Sequence, residues 1–126
     1  MIRIYRFVFL FLVLFISYAA VTPLEGGASV PYIDKLLHFS AFLILTLFMD
    51  LSINKPLPFN KAALIFLILY AFFIELVQYF LPYRSAEILD FVSDLLGILV
   101  YLYFAPKINI RPVSYTHLTL PTNREV

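Results

Sequence analysis

The chain has 126 residues, of which 63% are hydrophobic and 13% charged, with a formal net charge of +1. A single compact domain of that size cannot hide so much apolar surface behind so few charges, so a soluble globular fold is excluded and the solvent is lipid. Near-neutral charge without a Lys/Arg cluster excludes a nucleic-acid partner, and the lack of cysteine excludes disulfides, thiolate metal sites and cysteine nucleophiles.

The predicted elements are four transmembrane helices. Residues 7–24 form an uncharged run, long enough at about 1.5 Å per residue to cross the hydrocarbon core. Arg3 and Arg6 ahead of it, and Ser17-Tyr18-Ala19-Ala20 near its end, also fit a cleaved signal peptide, which is the alternative for this segment. The second span, about 36–53, is interrupted only by His38 and Asp50, and the polar, proline-bearing stretch from Asn54 to Lys61 ends it. The third, 62–81, holds one ionisable residue, Glu75, and stops at Pro82. The fourth, 88–105, carries Asp90 and Asp94, with Pro106 closing it. The fold class that follows is all-α, a polytopic four-helix membrane bundle.

Arg3, Arg6, Lys55, Lys61, Lys107 and Arg111 fall on one side of this topology, while Lys35 and Arg84 fall on the other. Basic residues prefer the cytoplasmic side, so both termini are expected there and the 23–35 and 83–87 connections outside. Tyr5, Tyr18, Tyr32, Tyr79, Tyr83 and Tyr103 lie near the predicted interfaces, where a ring with a polar tip is well placed. Residues 1–106 make the membrane domain and 107–126 a cytoplasmic tail. Within that tail, 113–126 has a different, polar composition and reads as a translated adapter, the alternative being a genuine disordered tail. His117 is set aside with it.

Ionisable side chains inside apolar helices are functional candidates, because the membrane penalises them unless they are paired or wetted. Asp34 and His38, four apart, share a face at the start of the second helix. Glu75 and Gln78 are neighbours on the third. Asp90, Asp94, Gly97 and Tyr101 follow offsets of four, seven and eleven, one stripe along the fourth, and Arg84 sits in the loop between these helices. These residues, Tyr101 excepted, are expected to converge on one outward-facing polar pocket. Glu75 is expected to form a unit with Arg84 and Asp90 or Asp94, and His38 to add a second cation. Plainer readings stand beside these: Lys35 marks the helix entrance, Gln78 donates between helices, Asp90 sits at a positive dipole end, and Gly97 permits close packing. Asp50, beside Lys55, reads as a solvated helix terminus.

Asp34-Lys35-Leu36-Leu37-His38-Phe39, followed by Phe42, resembles the DKxxHF signature of the VanZ-like membrane proteins. The segment from Glu75 to Ser85, then Asp90 and Gly97, resembles their second block, ExxQxFxPxR with a following D and G. The resemblance spans about 17–103. Asp94 stands where the family commonly has asparagine and Tyr101 where a second glycine is frequent, adding a possible charge and changing the packing. Membership implies a four-helix bacterial membrane protein, in a family named for a member giving low-level teicoplanin resistance; for this chain resistance is a family label.

Three function classes are open. One is a non-enzymatic protein of the bacterial cytoplasmic membrane whose outer pocket binds a lipid-linked envelope intermediate, a headgroup or a partner, altering what a glycopeptide reaches. Another is an outer-leaflet enzyme with His38 or Glu75 as general acid/base, an aspartate such as Asp94 orienting it and Arg84 holding a phosphate or carboxylate. The last is proton or ion movement through Glu75 and Asp94. No HExxH, GxSxG or thiol motif is present, and neither a cofactor nor a metal is called for by sequence spacing.

Overall fold

A computed structural model describes residues 2–23, 33–83 and 87–105, together with the helix backbone as far as 108. The described residues form four α-helices, α1 (Ile2–Val21), α2 (Ile33–Ser52), α3 (Lys61–Tyr79) and α4 (Ile88–Ile108), with one turn of 3-10 helix at Leu57–Phe59 between α2 and α3. All four are long and apolar enough to cross a membrane.

The helix ends depart from the sequence expectation in ways that local chemistry explains. α1 starts at Ile2 and so includes Arg3 and Arg6, long side chains whose charged ends can reach past the apolar part of the helix. α2 starts at Ile33, which brings Asp34 and Lys35 into its first turn. α3 ends at Tyr79 and not at residue 81. Phe80 N–H bonds to Val77 O and Leu81 N–H to Gln78 O, tightening the last turn ahead of Pro82, which disfavours helical geometry in the residue before it. The backbone of α4 runs two residues past Pro106, so that proline does not close it. At the other end of α3, Asn60 caps the helix by accepting from Ala63 N–H at 3.1 Å.

The helices run alternately up and down, and contacts close them into a ring in the order α1, α2, α4, α3. The parallel pair α2 and α4 packs most extensively. The reason is Gly97: a Cβ there would stand 2.5 Å from Phe39 O and 3.0 Å from Leu43 N, so only glycine lets the α2 backbone lie against α4. Phe42, Leu45, Leu67, Ala71 and Ile98 form the centre of the core. The outer faces are apolar, as on α1 with Phe7, Leu10, Phe11 and Leu14, which is how a bundle solvated by lipid is built.

Hydrogen bonds tie the helices where lipid offers no partners. Tyr70 OH donates to Val13 O at 2.9 Å and lies 2.7 Å from Ser17 Oγ, joining α3 to α1. Arg6 Nε donates to Ser52 O at 2.9 Å, joining the start of α1 to the end of α2. Asp50 is not a solvated terminus. Its side chain is buried, accepting from Tyr101 OH at 2.5 Å and from Leu57 N–H at 3.0 Å, because the 3-10 turn folds back over it. Tyr101 thus supplies a donor to an intramembrane carboxylate, which needs one.

Candidate functional site

Because α2 and α4 start at the same end of the bundle and touch along Gly97, their first turns face one another. Asp34 lies in the first turn of α2 and Asp90 in that of α4, where the positive ends of both helix dipoles favour a carboxylate. One turn further in, His38 of α2 meets Asp94 of α4. From α3, which arrives antiparallel to α4, Glu75 enters the same space one turn before the helix ends.

His38 stands at the centre. Its Nδ1 is 2.9 Å from Asp94 Oδ1 and 3.8 Å from Glu75 Oε1, and its Nε2 is 3.8 Å from Asp90 Oδ2 and 3.9 Å from Asp34 Oδ1. Two carboxylates therefore face each ring nitrogen. Lys35 bonds Glu87 and approaches Asp90 Oδ1 at 3.4 Å. Asp90 and Asp94 are wholly buried. Among the described residues, Asp94 Oδ2 and both oxygens of Glu75 are buried without a hydrogen-bond partner. The helices bring Asp34, Lys35, His38, Glu75, Asp90 and Asp94 together, with the His38 ring between the four carboxylates. Arg84 lies outside the described residues, and with it the expected Glu75–Arg84 unit.

Gln78 belongs to a different contact. Its Nε2 donates to Ala20 O at 3.0 Å, so it links α3 to α1. It also lines a cavity of about 330 Å³ between α1, α2 and α3. Phe15, Leu37 and Ile74 are among the apolar walls, and Asp34, His38 and Gln78 supply its polar lining. A second cavity, of about 290 Å³, lies between α3 and α4, where Glu75 and Glu87 are its acidic lining. The His38 cluster is thus flanked by two cavities.

Chemically, imidazole held against carboxylates can exchange protons, orient a polar headgroup or complete a cation site. Two sets of side chains, His38 with Asp34 and Asp90, and His38 with Glu75 and Asp94, bring one ligand atom from each member within 4.8 Å of the others. The sequence suggested that these residues gather, but not how they divide into two sets around the ring, because the members come from separate helices and no local motif brings them together. It also missed the Asp50–Tyr101 pair. The available signal was the unmet need of an intramembrane acid for a donor, with Tyr101 the unusual hydroxyl on α4.

A family model described as VanZ/LLP1 matches residues 2–109, a range that contains all four helices and every residue of the cluster. No curated protein and no solved structure matches the chain.

Proposed function

The chain belongs to the VanZ/LLP1 family, and from that premise we propose that it is a multi-pass protein of the bacterial cell membrane that binds an amphiphilic envelope lipid. The apolar chain of the lipid occupies the cavity between α1, α2 and α3, and its polar head meets the His38 cluster at the outer face. The observation that carries this reading is the cavity itself: its walls are almost wholly apolar, yet it reaches Asp34, His38 and Gln78. Binding sites for small amphiphiles share that pairing of apolar wall and a few fixed polar groups. Lipid-linked envelope intermediates pair a long hydrocarbon chain with an anionic head, which would meet the carboxylates through Lys35 or a bridging cation. Sequestering such a lipid would change what a glycopeptide reaches at the surface.

The test is retention of a polyprenyl phosphate by the purified protein, read by native mass spectrometry. Ala41 lines the cavity, and Ala41→Phe fills part of it. Wild type should hold one lipid that Ala41→Phe releases while remaining folded by circular dichroism. Equal retention by both proteins defeats the proposal. An outer-leaflet hydrolase is the second reading, favoured by the 2.9 Å contact between His38 Nδ1 and Asp94, which orients the ring as a base is oriented by its acid. Release of phosphate or of a truncated headgroup from the bound lipid separates it from simple binding.

A further inference from the structure

We infer that His38, Glu75 and Asp94 bind one divalent transition-metal ion, with Nδ1 of the imidazole and an oxygen of each carboxylate as ligands. The separations suit this. Ligands bonded to one such ion at about 2.0–2.2 Å stand roughly 3.0–3.5 Å from each other. His38 Nδ1 is 2.9 Å from Asp94 Oδ1 and 3.8 Å from Glu75 Oε1, which brackets that range and requires only small side-chain rotations. The three residues project from α2, α4 and α3, so the ligands are held by rigid elements.

The unmet polar atoms make a separate argument. Asp94 is 0% exposed, and with one oxygen on His38 its Oδ2 has no hydrogen-bond partner among the described residues. Both oxygens of Glu75, and both of Asp90, are buried in the same condition. Buried carboxylate oxygens without donors are costly in a lipid-solvated bundle, and an ion between Glu75 and Asp94 would satisfy the oxygen that each turns toward it. Charge points the same way. Among the described residues around His38, Asp34, Glu75, Glu87, Asp90 and Asp94 are acidic and Lys35 is the fixed cation, while His38 would ligate as a neutral imidazole.

The alternative set, His38 with Asp34 and Asp90, is less suited, because Lys35 Nζ lies 3.4 Å from Asp90 Oδ1 and a fixed ammonium repels a second cation. Asp34 and Asp90 are instead the carboxylates behind the ring. A metal-bound imidazole commonly has such groups on its far nitrogen, where they fix the tautomer and strengthen the ligand. One imidazole and two carboxylates, with no thiolate, select an ion of the Zn²⁺ or Mn²⁺ type. Glu75 also lines the cavity between α3 and α4, where Glu87 is the second carboxylate on an otherwise largely apolar wall. Three protein ligands leave coordination positions for water or for an anionic oxygen of a bound molecule.

The experiment uses the full chain in detergent, stripped with chelator and free of added lipid, so its outcome is separable from that of lipid retention. Zn²⁺ and Mn²⁺ are titrated individually, bound metal is counted per chain after gel filtration, and Co²⁺ serves as a spectroscopic probe. Wild type should take up one equivalent of Zn²⁺ or Mn²⁺, show visible Co²⁺ bands, and unfold at a temperature that rises with free metal. Asp94→Asn and Glu75→Gln should each weaken binding by at least about tenfold. The chain has two histidines, and His117→Gln should leave binding unchanged. Failure of folded wild type to take up either ion overturns the inference, as does equal affinity in Asp94→Asn and Glu75→Gln. If those variants do not fold, the Co²⁺ spectrum decides: bands that persist in His117→Gln and vanish in His38→Gln support the site, and bands retained in His38→Gln refute it.

Discussion

Asp50 is 2% exposed and holds two donors, the Tyr101 hydroxyl at 2.5 Å and the Leu57 amide at 3.0 Å. Removing the hydroxyl leaves a buried carboxylate oxygen short of a charge-assisted hydrogen bond. Tyr101→Phe should therefore cost about 1–3 kcal/mol, read as a lower thermal midpoint in detergent. The substitution removes one oxygen and leaves the ring, so packing around it is preserved. An unchanged midpoint would mean that the hydroxyl contributes nothing to holding Asp50. At this scale the sequence was legible where a charge lay deep in an apolar run, as with Glu75 and Asp94, and misleading where it lay near a helix end. Distance along the helix does not report how the following turn covers a side chain. Asp50 sits close to the end of α2, but Leu57 comes back over it. Gln78 does donate between helices, as its place in an apolar run suggested, but that its acceptor would be Ala20 on α1 follows no sequence pattern.

The strongest contact between elements depends on one missing side chain. With a Cβ at Gly97 placed 2.5 Å from Phe39 O, the clash is with backbone, which cannot rotate aside. Gly97→Ala should force α2 and α4 apart and destabilise the bundle by about 1–3 kcal/mol, with Gly97→Val worse. A sharper consequence follows from where Gly97 lies: Asp94 is one turn earlier on the same face and bonds His38. Separation of the helices should therefore weaken the His38 cluster along with the fold, and lipid retention should fall in Gly97→Ala even where the protein still purifies as a folded species. Retention equal to wild type would show that the cluster tolerates the displacement. Existence of the four helices was legible because hydropathy and length suffice for it. Which helices become neighbours was not, since all four outer faces are similarly apolar. Gly97 was the one local sign of a close approach, and it could not say that α2 would be the partner.

At the scale of the whole molecule, the alternation of four helices puts the start of α1 and the α2–α3 connection at one end and the His38 cluster at the other. Arg3, Arg6, Lys55 and Lys61 gather at the first end, whereas Lys35 sits among carboxylates at the second. Basic residues are retained on the cytoplasmic side during insertion, so the first end should face the cytosol and the cluster the exterior. The absence of cysteine makes the test direct, because each introduced thiol is the only one in the chain. Phe59 suits the cytoplasmic probe: its ring is 67% exposed and uncharged, whereas Asn60 caps α3 and Lys55 contributes to the asymmetry under test. Ser29 lies in the connection between α1 and α2 and serves as the opposite probe. In intact cells an impermeant maleimide should label Ser29→Cys and spare Phe59→Cys, which should react once the membrane is permeabilised. The reverse pattern would turn the cluster toward the cytosol. An outer-face lipid would then be out of its reach and the envelope reading would fall, while a metal ion bound by His38, Glu75 and Asp94 would still be measurable in the purified chain.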